Sequence, residues 1–83
     1  PDDKEAQISN AFNTIRAIMR EAGGSPENIG KVSVYVADRE DRKLINPHWL
    51  EMFPDENSRP VRHTSEKKLP AGRHIQIEFI AVF

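Results

Sequence analysis

Apolar residues recur along the chain with two different periods, and the changes of period mark out its elements. From Ile8 onward the spacing is helical. Ile8, Ala11, Phe12, Ile15, Ile18, Met19 and Ala22 form one stripe, while Gln7, Asn10, Asn13, Arg16 and Arg20 turn away from it. Asp2 is placed to cap this helix, with Glu5 three residues on to complete a capping box. Gly23-Gly24 ends it, because glycine accepts the left-handed conformation that closes helices. Ser25-Pro26-Glu27-Asn28 reads as a capped single turn, proline being pre-set for the first helical position. The period then drops to two: Val32, Val34 and Val36 alternate with Ser33 and Tyr35 in a strand. The charged run from Asp38 to Lys43 reads as a solvated loop. Helical spacing returns with Leu44, Ile45, Trp49, Leu50, Met52 and Phe53. Pro47 either occupies the first turn of that helix behind an Asn46 cap or splits the segment in two. Pro54 to Ser58 breaks it.

The cleanest alternation is in the last ten residues. Ile75, Ile77, Phe79, Ala81 and Phe83 form one row, predicted to lie beneath the helices. His74, Gln76 and Glu78 form the other, which turns apolar at Ile80 and Val82. Arg59 to Thr64 enters a further strand, since proline (here Pro60) sits best at a strand's beginning, and Lys67 to Gly72 is a turn. The order α-β-α-β-β makes residues 1–83 a single α+β domain with helices on one face of a small sheet. Val32–Val36 and His74–Phe83 are predicted at the sheet's centre. Three strands are too few to cover two helices, so further surface must come from elsewhere. The apolar end of the open face predicts self-association.

Composition sharpens that expectation. A chain of 83 residues buries only roughly 60% of the surface exposed by its unfolded form. It has no cysteine for disulfides, so stability leans on oligomerisation. Absence of cysteine also fits a cytoplasmic setting. No apolar run reaches the length of a membrane span, and no basic-then-apolar start marks a secretory signal. Pro1 in the first position fits a processed chain or a piece of a longer one. The formal net charge is -1 and the pI about 6.4, which argues against nucleic acid or anionic membrane as a partner. Residues 59–73 do hold five cations (Arg59, Arg62, Lys67, Lys68 and Arg73) against Glu66, but no aromatics are interleaved to stack bases. His48, His63 and His74 lack the spacing of zinc ligands. His74 and Glu78 share a strand face about 13 Å apart, too far to chelate one ion. With no glycine-rich phosphate loop and no serine–histidine–acid set, no metal or cofactor is expected.

Taken in order, the residues carry a resemblance. Gln7…Ala11-Phe12…Ile15…Ile18-Met19…Ala22-Gly23 comes first, followed by Val32 to Asp38 and by Ile45-Asn46…Trp49…Phe53. Arg59-Pro60-Val61-Arg62 and Leu69-Pro70…Ile75-Gln76-Ile77-Glu78…Ile80-Ala81-Val82 complete the set. This ordered pattern resembles the RidA (YjgF/YER057c/UK114) family, some of whose names include endoribonuclease L-PSP. The resemblance implies a chorismate-mutase-like fold and a homotrimer with sheets inward and helices outside. It also implies a small carboxylate or imine metabolite as ligand, in a pocket between subunits. Active members there hydrolyse reactive enamines or imines to 2-keto acids and ammonia. Typical members carry strands before the first helix; this chain begins at that helix and resembles their C-terminal two-thirds.

The same resemblance assigns site residues. Arg62 matches the carboxylate-binding arginine, and a guanidinium fork suits a carboxylate in a way that lysine cannot reproduce. Thr64 falls where some members have a reactive cysteine, which rules out cysteine chemistry at that position. Gln76 stands in place of the glutamate that activates the attacking water. Glutamine can orient a water but cannot take its proton near neutral pH. Glu78 is no substitute, lying about 6.6 Å along the strand. Asn46 matches a recurrent asparagine and reads as a helix cap; Trp49 replaces a tyrosine and reads as packing. Two functions follow: a weakened imine deaminase, or a non-catalytic trimeric module that binds a small carboxylate.

Overall fold

The computed structural model describes residues 3–57 and 59–83. Helix α1 (Lys4–Glu21) leads through a 3-10 turn, Pro26–Asn28, into strand β1 (Ile29–Val36). A second 3-10 turn, Arg39–Asp41, runs into α2 (Arg42–Met52), and β2 (Val61–Glu66) and β3 (Ile75–Ala81) follow. The strands lie in the order β2-β1-β3, with β1 parallel to β2 and antiparallel to β3. The α+β order read from the pattern is therefore present. The placement of β3 at the centre is not. The β1–α2–β2 crossover sets β2 along one side of β1, so β3 takes the other side and forms an edge.

Helix α1 is capped by Asp3, whose carboxylate accepts from the backbone N–H of Glu5 at 3.0 Å and of Ala6 at 3.4 Å. Asp2, the expected cap, lies outside the described residues. At the other end Gly23 has φ +82°, Gly24 N–H donates to Met19 O and Gly23 N–H to Arg20 O. That pair of bonds is a Schellman closure, and it requires the left-handed residue at Gly23. Ile8, Phe12, Ile15 and Met19 are buried as expected, but Ile18 is 49% exposed. It is turned about 100° round the helix from Met19, off the single row that fits the sheet. Ala22, also exposed, is the C-cap residue and has left the stripe.

The run from Asp38 to Lys43 is a 3-10 turn and the start of α2, not a loop. Asp41 is only 5% exposed, and Lys4 Nζ donates to its Oδ1 at 2.9 Å, tying the start of α1 to the start of α2. Its Oδ2 is buried without a partner. Pro47 neither opens α2 nor splits it; it sits inside the helix. The bond lost there belongs to the carbonyl of Lys43, and both residues are exposed, so water replaces it. Asn46 is consequently a mid-helix residue and caps nothing. Ile45, Trp49, Met52 and Phe53 are buried, whereas Leu50 points outward.

Beneath the helices lie Val32, Val34 and Val36, at most 2% exposed, paired with Phe79, Ile77 and Ile75 respectively. A bulge between Ile29 and Lys31 adds one residue to β1 and restores Ile29 to the buried face. Strand β3 stops at Ala81, so Phe83 leaves the inward row and its exposed ring rests against Gly24. Val82 N–H donates to Asn28 O at 2.8 Å, and Asn28 Nδ2 to Val82 O at 3.1 Å, which pins the chain end to the first turn. Among the described residues no helix is long and apolar enough to cross a membrane.

The Lys4–Asp41 contact carries a pH signature. The hydrogen bond to Asp41, reinforced by its charge and that of Asp38, raises Lys4 above the ordinary lysine value of 10.5, against a smaller opposing effect of burial. A base raised on folding contributes its full stabilisation below its unfolded value and loses it as pH climbs through the folded one. Thermal melts of Lys4→Met should therefore show a lower Tm than wild type at neutral pH. The gap should close above about pH 10.5; a gap independent of pH would exclude the charge as its source.

Candidate functional site

Strand parity decides which side chains can meet. In the parallel register Val32 faces Arg62 and Val34 faces Thr64, so Arg62 and Thr64 share the helix-covered side of the sheet with the buried valines. Helix α2 passes over them. Arg42, Asn46 and Trp49 follow one another at spacings of four and three, which lines them up along one stripe of the helix. Arg62, itself half-buried, reaches up to that stripe from the largely exposed β2. Its Nε donates to Thr64 Oγ1 and its Nη1 to Asn46 Oδ1, both at 2.9 Å. Its guanidinium carbon lies 5.2 Å from the centre of the Trp49 ring, within cation–π range.

Every one of these partners is neutral. Among the described residues no carboxylate pairs with Arg62. Burial, and then the nearby charge of Arg42, hold the guanidinium below its usual pKa. It stays cationic at any ordinary pH, so the cation is held at a cost that an arriving anion would relieve. Two of its five N–H groups are committed to Thr64 and Asn46, leaving three to bind. The cleft around it has a volume of about 410 Å³ and is lined by Arg42, Lys43, Asn46, Arg62 and Thr64. That lies within the roughly 300–1,000 Å³ range of small-molecule sites.

A larger cleft, of about 520 Å³, lies between α1 and the turn at 70–73. Its cation, Arg73, is exposed, and Gln7 is engaged with backbone: Nε2 donates to Gly72 O at 2.7 Å and Oε1 accepts from His74 N–H at 2.8 Å. Volume alone does not bind a metabolite. The smaller cleft holds the half-buried cation, and we place the candidate site there.

Gln76 is elsewhere. It pairs with Tyr35 in the antiparallel register and so occupies the open face, where its amide nitrogen lies 3.4 Å from Glu78 Oε2. Strand β1 separates it from Arg62 by two strand spacings, about 9.6 Å across the sheet, the register offsets them by roughly 10 Å more along it, and the two side chains leave opposite faces. One chain thus brings Arg62 and Thr64 together and keeps Gln76 apart from both. His63 is exposed on the face away from Arg62. Asn46, which reads from sequence as a cap, and Trp49, which packs in the core as expected, both touch the guanidinium, while Arg42 reads from sequence as one of the solvated charges of 38–43. The spacing of Arg42, Asn46 and Trp49 along one helix stripe was the available signal.

A family model described as Endoribonuclease L-PSP matches residues 1–83. The chain belongs to that family, the RidA (YjgF/YER057c/UK114) family. It is 36% identical over 77 residues to a RutC family protein of Aquifex aeolicus, covering 92% of this chain and 62% of that one. It is 33% identical over 84 residues to the 2-iminobutanoate/2-iminopropanoate deaminase of Escherichia coli, covering 99% of this chain and 66% of that protein. Its fold matches RidA from an Antarctic Psychrobacter with a TM-score of 0.87 at 28% identity, covering 100% of this chain and 67% of the other. The YjgF gene product of Escherichia coli gives 0.82 at 33% identity, with 99% and 66% covered. The chain thus spans a little under two thirds of the length of these curated RidA-family relatives.

Proposed function

We propose that this chain binds a small 2-keto or 2-imino carboxylate through Arg62 and belongs to a homotrimer that hydrolyses such imines slowly. The observation that carries this reading is the partly desolvated Arg62 guanidinium, held in place by Asn46, Thr64 and Trp49 with no counter-charge among the described residues. The three neutral contacts fix the direction of the guanidinium and leave its charge for an anionic ligand, which an arginine fork can bind bidentately. The similarity to a 2-iminobutanoate/2-iminopropanoate deaminase supports the substrate class.

The chemistry is a hydration. Water adds to the C=N carbon and one of its protons goes to the nitrogen; the second passes from the new hydroxyl to the nitrogen as the C–N bond breaks, so ammonia leaves and the 2-keto acid remains. Arg62 holds the substrate carboxylate and fixes the orientation of the C=N bond. Gln76 can accept one hydrogen bond from a water and donate another, but no proton ends on its amide. General-base help is typically worth 10²–10⁴-fold, so a site that relies on glutamine is slow. That same residue favours the second reading, a trimeric module that binds the carboxylate without turning it over. The separation of Gln76 from Arg62 within one chain supports a pocket completed across a subunit boundary.

Assembly is supported by the open face of the sheet, where Ile80 is 59% exposed and Val82, just beyond the strand, 70%. In light scattering the protein should give three times the chain mass. Ile80→Asp should dissociate or unfold it, since an unpaired charge buried in an interface costs several kcal/mol. A wild-type monomer at micromolar concentration would remove the trimer from the proposal.

Binding is tested at Arg62. Pyruvate, 2-oxobutanoate and benzoate should bind in calorimetry, and Arg62→Lys should weaken them at least about ten-fold although the charge is kept, because the fork and its fixed orientation are lost. Equal affinity in the two proteins would reduce Arg62 to a surface charge.

Catalysis is tested at Gln76. Glutamate is almost the same size, so Gln76→Glu should fold normally and differ only in proton chemistry. On freshly generated 2-iminopropanoate it should release pyruvate roughly ten- to a thousand-fold faster than wild type, within the range of a general base. No gain with trimer and binding intact would select the binding module.

A further inference from the structure

The cleft around Arg62 holds more positive charge than one carboxylate can neutralise. Arg42 lines it from the first turn of α2, one turn ahead of Asn46, which holds the guanidinium of Arg62. Among the described residues no carboxylate pairs with Arg42. Its acidic neighbour in the chain, Asp41, is engaged by Lys4. Lys43, on the same rim, differs: Glu40 lies 3.3 Å from its ammonium group. Among the described residues the lining has no acidic side chain, and its neutral members, Asn46 and Thr64, both turn an oxygen to Arg62. The two arginines sense each other, since the charge of Arg42 is the second cause that lowers the pKa of Arg62. A monocarboxylate on Arg62 leaves Arg42 uncompensated at the mouth of the same cleft.

We propose that this site selects dianions: a 2-keto or 2-imino dicarboxylate whose first carboxylate rests on Arg62 and whose second reaches Arg42 at the start of α2. The inference rests on the reading of Arg62 as a carboxylate anchor and adds the substrate class. Arg42 opens α2, but its backbone N–H is already spent on Arg39 O of the preceding 3-10 turn. It is the second arginine, not the helix end, that sets the preference.

The test compares two ligands that differ only in the second charge. 2-Oxoglutarate and 2-oxopentanoate share a five-carbon 2-keto acid frame, and only the first ends in a carboxylate. By calorimetry at low salt, with Trp49 fluorescence as a second readout, 2-oxoglutarate should bind about ten-fold more tightly, the gain of one added charge-assisted contact. Added salt should shrink that advantage, because Arg42 is exposed. Arg42→Gln should bring the ratio of the two affinities close to one, while Arg42→Lys should keep most of it. Arg62→Lys should weaken both ligands together.

Equal binding of the two keto acids by wild type would overturn the dianion preference and leave the Arg62 reading standing. An advantage that survives Arg42→Gln would overturn the role of Arg42. Competition by inorganic phosphate as strong as that of 2-oxoglutarate would reduce the cleft to an unselective anion site and also overturn the proposal. Failure of both keto acids to bind would remove the Arg62 reading, and this inference with it.

Discussion

The register of β1 between its two neighbours is the constraint on which the rest of the structure depends. Val32, Val34 and Val36 have no stable place except under the helices, and a slip of one residue would turn all three to the open face. Once they are seated, both flanking strands are committed as well. The parallel pairing sends Arg62 and Thr64 to the covered side. The antiparallel pairing sends Gln76 and Glu78 to the open side. The bulge between Ile29 and Lys31 is the one adjustment, and it lets a ninth-hour isoleucine at the strand's start join the valines. Hydrophobic burial thus decides the chemistry of each face, although no polar residue takes part in the decision.

The polar consequence is an arginine in an awkward place. Carried to the covered side at the sheet's edge, Arg62 loses part of its water and receives three neutral contacts in return: a hydroxyl, an amide oxygen and an indole face. These hold its direction without cancelling its charge. An ion pair in that position would instead cancel the charge and fill the space beside the guanidinium. The chain does use such a pair elsewhere, at Lys4 and Asp41, where the two helices begin.

Much of the fold was legible in the sequence because one period or the other dominates each segment. The stripe through Ile8, Phe12, Ile15 and Met19, the three alternating valines, and Ile75, Ile77 and Phe79 each specify an element and its buried side with no knowledge of neighbours. Where the reading failed, the local signal was ambiguous. Ile18 and Leu50 are apolar but fall just off the rows that fit the sheet, and only the width of the packing contact excludes them. Pro47 signals a helix start in isolation, yet a solvated carbonyl at Lys43 makes an interior proline tolerable. A run of charges reads as loop, although one of them, Asp41, is buried by its contact with a lysine 37 positions away.

For the site, sequence by itself determined the residue types and the faces of single elements: an arginine behind a proline on β2, a glutamine where a proton acceptor would serve, and family membership through the ordered pattern. Only the tertiary structure decided which of them meet. Asn46, Trp49 and Arg62 come together because α2 crosses over β2, and nothing in their spacing of 13 to 16 residues announces it. Arg62 and Gln76 part because β1 is inserted between their strands. Periodicity is a local property, set by the backbone of one element; contact is set by the order in which elements pack, and that order is written in the chain as a whole.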